Sequence, residues 1–151
     1  VRFFSKEWIN GEISDQEFAA TPATYAAHVE SLHLPPKVLA LAKAYVHDGL
    51  LLHLHHDLAA ARLMLRLRIG DLQKGYFDLD IEYSGASVDA ESLRILGRAM
   101  NEPKDEFLYD EIDRESEQFV HRFLLASYAE PQVCFSSVSM KSKPVPSRSR
   151  L

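Results

Sequence analysis

The run Arg62 to Ile69, "RLMLRLRI", alternates without a break, with Leu63, Leu65, Leu67 and Ile69 on one side and Arg62, Met64, Arg66 and Arg68 on the other. Only an extended strand, whose side chains point to opposite faces in turn, converts a period of two into one apolar face and one charged face. "YFDLDIEY" repeats the pattern, with Phe77, Leu79, Ile81 and Tyr83 inward and Asp78, Asp80 and Glu82 outward. Upstream, "LLLHLHH" places Leu50, Leu52 and Leu54 on one side and Leu51, His53 and His55 on the other. "DLAA" and the glycine-bounded "GDLQKG" are short connections, so the three runs are expected to form an antiparallel meander with one buried face. If the second turn centres near Gln73, Arg66 and Arg68 face Asp80 and Asp78, and such pairs stabilise by about 0.2–1 kcal/mol each.

The chain before Gly49 carries helix signals instead. Ser14 to Glu17, "SDQE", fits a capping box. A second start is expected at Thr21, with Pro22 in the first helical position, where a missing N–H costs nothing, and Tyr25, Val29 and Leu32 along one face. Pro35-Pro36 breaks that helix and opens "PKVLALAKAYVHDG", in which Val38, Leu39, Leu41, Ala42 and Tyr45 form the apolar stripe and His47 occupies the last turn. Residues 89–100 fit either a short helix capped by Asp89 or a further strand. "EFLYDEI", "QFVHRFLLAS" and "QVCFSSVSM" are three more strand candidates. The expected fold class is α+β, N-terminal helices packed on an antiparallel β-meander of about six strands. Residues 1–140 would be one domain (1–48 helical, 49–140 mainly sheet). Residues 141–151, basic and rich in Ser and Pro, are expected as a flexible tail.

At 151 residues the chain is one domain long. Its net charge of −5 argues against a dedicated binder of nucleic acid or anionic membranes. Charge is nonetheless uneven: residues 76–130 hold five bases against fourteen acids, and the last 21 residues hold four bases and no acid. The lone Cys134 cannot form an internal disulfide. No apolar run is long enough to span a bilayer, and "VRFFSKEW" meets charge too early for a signal peptide, so a cytoplasmic setting is expected.

The stretch that most resembles chemistry is "HDGLLLHLHHD", residues 47–57, with four of the seven histidines. His53 and His55, two apart on a strand, present their imidazoles to one side and are the candidate metal ligands. His56 points the other way, and the expected neighbour on the next strand is Arg66, whose permanent charge opposes a bound cation. A solvated strand face with cross-strand ion pairs accounts for the same residues. Glu111 and Asp113 share a face in the acidic run Glu102 to Glu117; they could hold a cation or form an acid–base pair, or simply protect a solvated edge strand by charge. Cys134 lies in an alternating strand, as a buried small hydrophobe would. No nucleophile elbow, phosphate-binding loop or His-Glu-x-x-His is present. No catalytic residue and no cofactor are therefore assigned.

The opening "FFSKEW" resembles that of a family of uncharacterised bacterial proteins, a domain of unknown function, whose members begin aromatic-aromatic-Ser/Thr-Lys-Glu-Trp. "LPPKVLALAKAYVHDG" is similar to that family's Leu-Pro, helix, His-Asp step into the first strand, and "LMLRLRI", "YFDLDIEYSGAS", "FLYDEID" and "FVHRFLLAS" resemble its strands. The chain departs from the pattern at Ile9-Asn10, where the family more often has Tyr. The resemblance implies a bacterial protein with helices followed by a meander, and it carries no site residue. The function expected is that of a non-enzymatic binding or regulatory module acting through contact with a protein partner, of the immunity or accessory type. The alternative is a small metal-dependent hydrolase using His53 and His55.

Overall fold

A computed structural model describes residues 1–146 and 150. Among the described residues four helices, α1 (Lys6–Ile9), α2 (Asp15–Ser31), α3 (Pro36–Ala42) and α4 (Ala90–Asn101), accompany seven strands. The strands are β1 (Leu50–Asp57), β2 (Arg62–Asp71), β3 (Gly75–Ser84), β4 (Phe107–Glu115), β5 (Gln118–Leu125), β6 (Gln132–Phe135) and β7 (Ser137–Pro144). The fold is α+β, but the strands form two antiparallel sheets rather than one meander: β1-β2-β3-β7 and β4-β5-β6. Leu65, Leu67, Ile81 and Tyr83 of the first sheet share one core with Ile112, Phe123, Val133 and Phe135 of the second.

The division falls inside "QVCFSSVSM", a single strand in the sequence reading. Phe135 still pairs with β5, whereas Ser137 already pairs with Ser84 of β3. The exchange is tight. At Gly85 the backbone takes a φ of +60°, and an added Cβ would stand 2.5 Å from Ser136 Oγ and crowd that side chain, so glycine suits the position. Backbone bridges at Gly49–Phe107 and Ser87–Cys134 tie the sheets together.

Register in the first sheet follows the alternation. Arg66 lies opposite Asp80 and Arg68 opposite Asp78, with ion pairs of 2.6 and 2.8 Å. The row continues on both sides: His53 lies opposite Arg66, and Lys141 and Lys143 lie opposite Asp80 and Asp78. Residues 141–144, expected in a flexible tail, are thus the end of an edge strand. Their lysines complement the acids of β3, and Pro144 stands where no further ladder bond is required. Beyond the strand, Val145 N–H donates to Tyr76 O at 2.8 Å, and Arg150 pairs with Glu106 at 2.9 Å. Residues 147–149 and 151 of the expected tail lie outside the described residues.

Two helical boundaries differ from expectation. One helix, α2, runs through Thr21 and Pro22; the capping box at Ser14 starts it, and Pro22 sits in its interior. The Thr21 hydroxyl bonds the Glu17 carbonyl one turn back and caps nothing. Helix α3 ends at Ala42, so Tyr45 and His47 belong to a connection, not to a helical stripe, and the helical segment stops short of residue 48. Helix α4 settles the ambiguous 89–100 segment, with Asp89 accepting from Ser92 N at 2.7 Å. In β1 a bulge between Leu51 and His53 leaves Leu51 opposite Leu67 and Leu54 opposite Leu65. Leu50 and Leu51 are therefore both buried, and Leu52, expected inward with Leu50 and Leu54, is the extra residue.

Candidate functional site

His53 and His55 both emerge exposed from the outer face of β1, opposite Arg66 and Met64 respectively. The neighbour of His53 is thus a guanidinium already committed to Asp80, and no carboxylate stands across from either imidazole. Among the described residues, no group of three or more His, Cys, Asp or Glu side chains is gathered as a metal site would require.

The acidic strand behaves differently from a solvated edge. Strand β4 is an edge of its sheet, yet Glu111 is only 2% exposed. Its Oε2 accepts from Arg2 N at 2.6 Å and its Oε1 from Phe3 N and Phe4 N at 2.6 and 2.8 Å. One carboxylate thereby satisfies three consecutive backbone donors and fixes the N-terminal segment on the sheet. Asp113 faces His28 Nε2 and Arg122 Nη1, both at 3.2 Å. Burial raises its carboxyl pKa, but the Arg114 N–H, Arg122 and His28 outweigh that and hold it below the usual range. Neither acid is available to a cation. Cys134 is half-buried, and burial pushes its thiol up, which leaves little thiolate to react.

The buried polar constellation lies elsewhere. His121 on β5 is fully buried between the sheets. Its Nδ1 is 2.8 Å from the Tyr83 hydroxyl on β3, and its Nε2 is 2.8 Å from Asp110 Oδ2 on β4. The Nε2-protonated tautomer satisfies every partner: the Tyr83 O–H donates to Nδ1, and Nε2–H donates to Asp110. Burial, reinforced by Asp110, drives the Tyr83 phenol well above its ordinary value, so it stays a donor. Tyr83 and His121 are both closed to solvent. They cannot touch a substrate; they can only orient Asp110.

Asp110 is the end of that chain that reaches the surface. It borders an open cleft of about 210 Å³ between the α3–β1 connection and the start of β4, lined also by Phe4, Tyr25, Tyr45, His47 and Tyr109. Five rings make a continuous arc. Tyr45 stacks on His47 with centroids 5.8 Å apart, His47 meets Tyr109 edge-on at 4.9 Å, Tyr109 stacks on Phe4 at 5.0 Å, and Phe4 meets Tyr25 edge-on at 5.3 Å. Tyr25 is held in place because its hydroxyl accepts from Ile112 N at 2.8 Å. Tyr45 stands at the lip and is 70% exposed, although it is a large aromatic.

The backbone that carries Tyr45 and His47 is set by a sharp turn. Gly49 N–H donates to Val46 O at 2.8 Å and Phe107 N–H to Gly49 O at 2.9 Å, while Asp48 takes a φ of +58°. A Cβ at Gly49 would meet Val46 O at 2.7 Å, so the His-Asp-Gly sequence is what lets the connection fold back over β4. The cleft's lining carries one charge of each sign, Asp110 and Lys43. Burial and then Tyr45 and Asp48 raise the Tyr109 phenol, and burial and nearby acids including Asp110 raise that of Tyr25. His47 Nδ1 is buried and, although 3.0 Å from Asp48 Oδ1, makes no well-directed hydrogen bond among the described residues.

Comparison with known protein families and with curated proteins finds no match to the chain. The site therefore rests on its own geometry. Sequence reading assigned Tyr25 and Tyr45 to helical stripes and His47 to a helix end, and it passed over Tyr109, Asp110 and His121 in alternating strands. The available signal was weak: a histidine among the apolar residues of "QFVHRFLL" is a buried imidazole in need of two partners.

Proposed function

We propose that this chain is a non-enzymatic binding module that works by contact with a protein partner, in the manner of immunity or accessory proteins, and that the aromatic cleft at the α3–β1 connection is its contact surface. One observation carries this reading: an arc of five rings, with Tyr45 exposed at its lip, opens beside a carboxylate that is oriented from within the core. Exposed aromatic residues at the centre of a concave surface are the usual anchors of protein interfaces. A binding role is favoured over catalysis because fully buried His121 joins Asp110 to the Tyr83 hydroxyl and, among the described residues, to no Ser, Thr or Cys nucleophile. Of the other exposed large apolar side chains among the described residues, Leu58 and Leu72 stand singly at hairpin tips, where isolated exposure is ordinary, Phe18 stacks on Trp8, and the Tyr128 hydroxyl donates to Asn10.

The test is co-expression of the chain with the products of the genes flanking its own, followed by purification and size-exclusion chromatography. A complex that forms with the unaltered chain and with Leu58→Ser and Leu72→Ser, but not with Tyr45→Ser or Tyr109→Leu, supports the cleft as the contact. A complex indifferent to both cleft substitutions refutes it.

A further inference from the structure

We infer that the outer face of β1 and β2 carries a site for monovalent copper, held by the imidazoles of His53 and His55 and the thioether of Met64. It does not depend on the contact proposed at the cleft, whose lining shares none of these residues.

Strand register brings the three donors together. The β1–β2 ladder is regular from His53 onward, so His53 and His55 leave the same outer face, about 6.8 Å apart along the strand. Met64 is the residue directly opposite His55, and side chains paired in this way have Cβ atoms about 4.5–5.5 Å apart on one face. Both histidines are exposed and Met64 is half-buried. Among the described residues neither imidazole takes part in a hydrogen bond or an ion pair, so both rings can turn toward the flexible thioether.

The donor set selects the metal. Zinc is bound by Cys, His, Asp and Glu, four of them in a structural site, and among the described residues no third such side chain is gathered around this pair. The third donor at hand is a thioether, a soft ligand that favours Cu(I), and imidazole suits copper as well. Cu(I) has a low coordination number, which three such donors fill. Charge does not oppose it. Arg66, across from His53, is offset by its forked pair with Asp80 at 2.6 and 3.1 Å. On the other side of Met64 stands Glu82, whose carboxylate meets Arg62 only loosely, at 3.6 Å. The row His55–Met64–Glu82 therefore places a negative group beside the soft donors.

The test is competition of the full chain against the coloured Cu(I)–bicinchoninate complex under anaerobic ascorbate, with the methionine methyl groups followed by NMR. The chain should withdraw Cu(I) in equimolar amount and shift the Met64 methyl, while the methyls of Met100 and Met140, the other methionines, stay unmoved. Met64→Leu is close to volume-conserving. It should weaken Cu(I) binding by about tenfold or more, a difference of about 1.4 kcal/mol, and leave the weaker Zn²⁺ binding of the imidazole pair unchanged. His53→Gln and His55→Gln should each weaken both metals. Cys134→Ser should bind Cu(I) as the unaltered chain does, which separates the site from the one thiol in the chain. Failure to withdraw Cu(I), an unmoved Met64 methyl, full Cu(I) affinity in Met64→Leu or loss of binding in Cys134→Ser each overturns the inference. None of these readouts involves the cleft, so this site and the proposed contact surface stand or fall separately.

Discussion

Replacing Glu111 by Gln is the most demanding test of how the N-terminal segment is held. The carboxylate accepts three backbone N–H groups at 2.6–2.8 Å. Hydrogen bonds to a charged group contribute about 1.5–3 kcal/mol each. Gln is nearly isosteric and keeps one oxygen, sufficient for Phe3 and Phe4, but it turns an amide N–H₂ toward the Arg2 N–H. One bond is therefore replaced by a donor–donor conflict, and the other two lose their charge. The expected loss is about 2–3 kcal/mol. Glu111→Ala leaves all three donors without a partner, but its effect is bounded. The segment can lift away and return its N–H groups to water, which forfeits the burial of Phe4, worth about 1.5–3 kcal/mol, and releases backbone entropy of about 1–2 kcal/mol per freed residue. Ala should accordingly cost little more than Gln, about 3–4 kcal/mol in all.

Urea unfolding measures both variants, with Glu115→Gln as control. Glu115 is 60% exposed and pairs with Arg122 at the surface, so its loss should cost under about 1 kcal/mol. Amide exchange adds the local reading, since Phe3 and Phe4 should lose protection in Glu111→Gln before β4 and β5 do. A Glu111→Gln stability within about 0.5 kcal/mol of the unaltered chain would refute the reasoning, because surface substitutions away from any such feature already vary by that much. So would unchanged protection at Phe3 and Phe4. Phe4 is one ring of the cleft, so the same variant should also weaken the partner contact proposed there.

Two further outcomes follow from buried and paired groups. Tyr83→Phe removes the hydroxyl bonded to His121 Nδ1 and leaves a fully buried nitrogen unpartnered, so chemical denaturation should show a loss of about 1–3 kcal/mol; a neutral effect would mean that His121 is served by another donor. Asp80 and Asp113 have carboxyl pKa values below the usual range, Asp80 chiefly through its hydrogen bond to Arg66. A depressed folded-state pKa stabilises above the unfolded value of about 3.9 and is lost as pH falls through the folded one. Stability should thus be flat near neutrality and fall below about pH 4, and Asp80→Asn should flatten part of that decline.

How much could be seen in the linear chain depended on how local the cause was. The pairing of Arg66 with Asp80 and of Arg68 with Asp78 was legible because a two-residue period and one turn fix a hairpin register without reference to anything distant. The capping box at Ser14 was legible for the same reason. Pro22 misled, because a proline preference for first turns is only a propensity, and the helix that the capping box at Ser14 starts runs through it. The break at Ser136 was invisible, since both halves of "QVCFSSVSM" alternate equally well; what separates them is the passage of Gly85 beside Ser136.

The sequence by itself determined the class of the fold, the inward faces of its central strands and the mixed-charge outer face that His53 and His55 decorate. It could not place Glu111 beneath Arg2, Phe3 and Phe4, or bring Tyr83, His121 and Asp110 into one line. It also could not assemble Phe4, Tyr25, Tyr45, His47 and Tyr109 around a single carboxylate. Those residues lie in separate segments, each with an unremarkable local pattern. Their proximity is a property of how two sheets share one core and how one turn at Gly49 folds over the edge of β4, and long-range packing of that kind leaves no period in the chain.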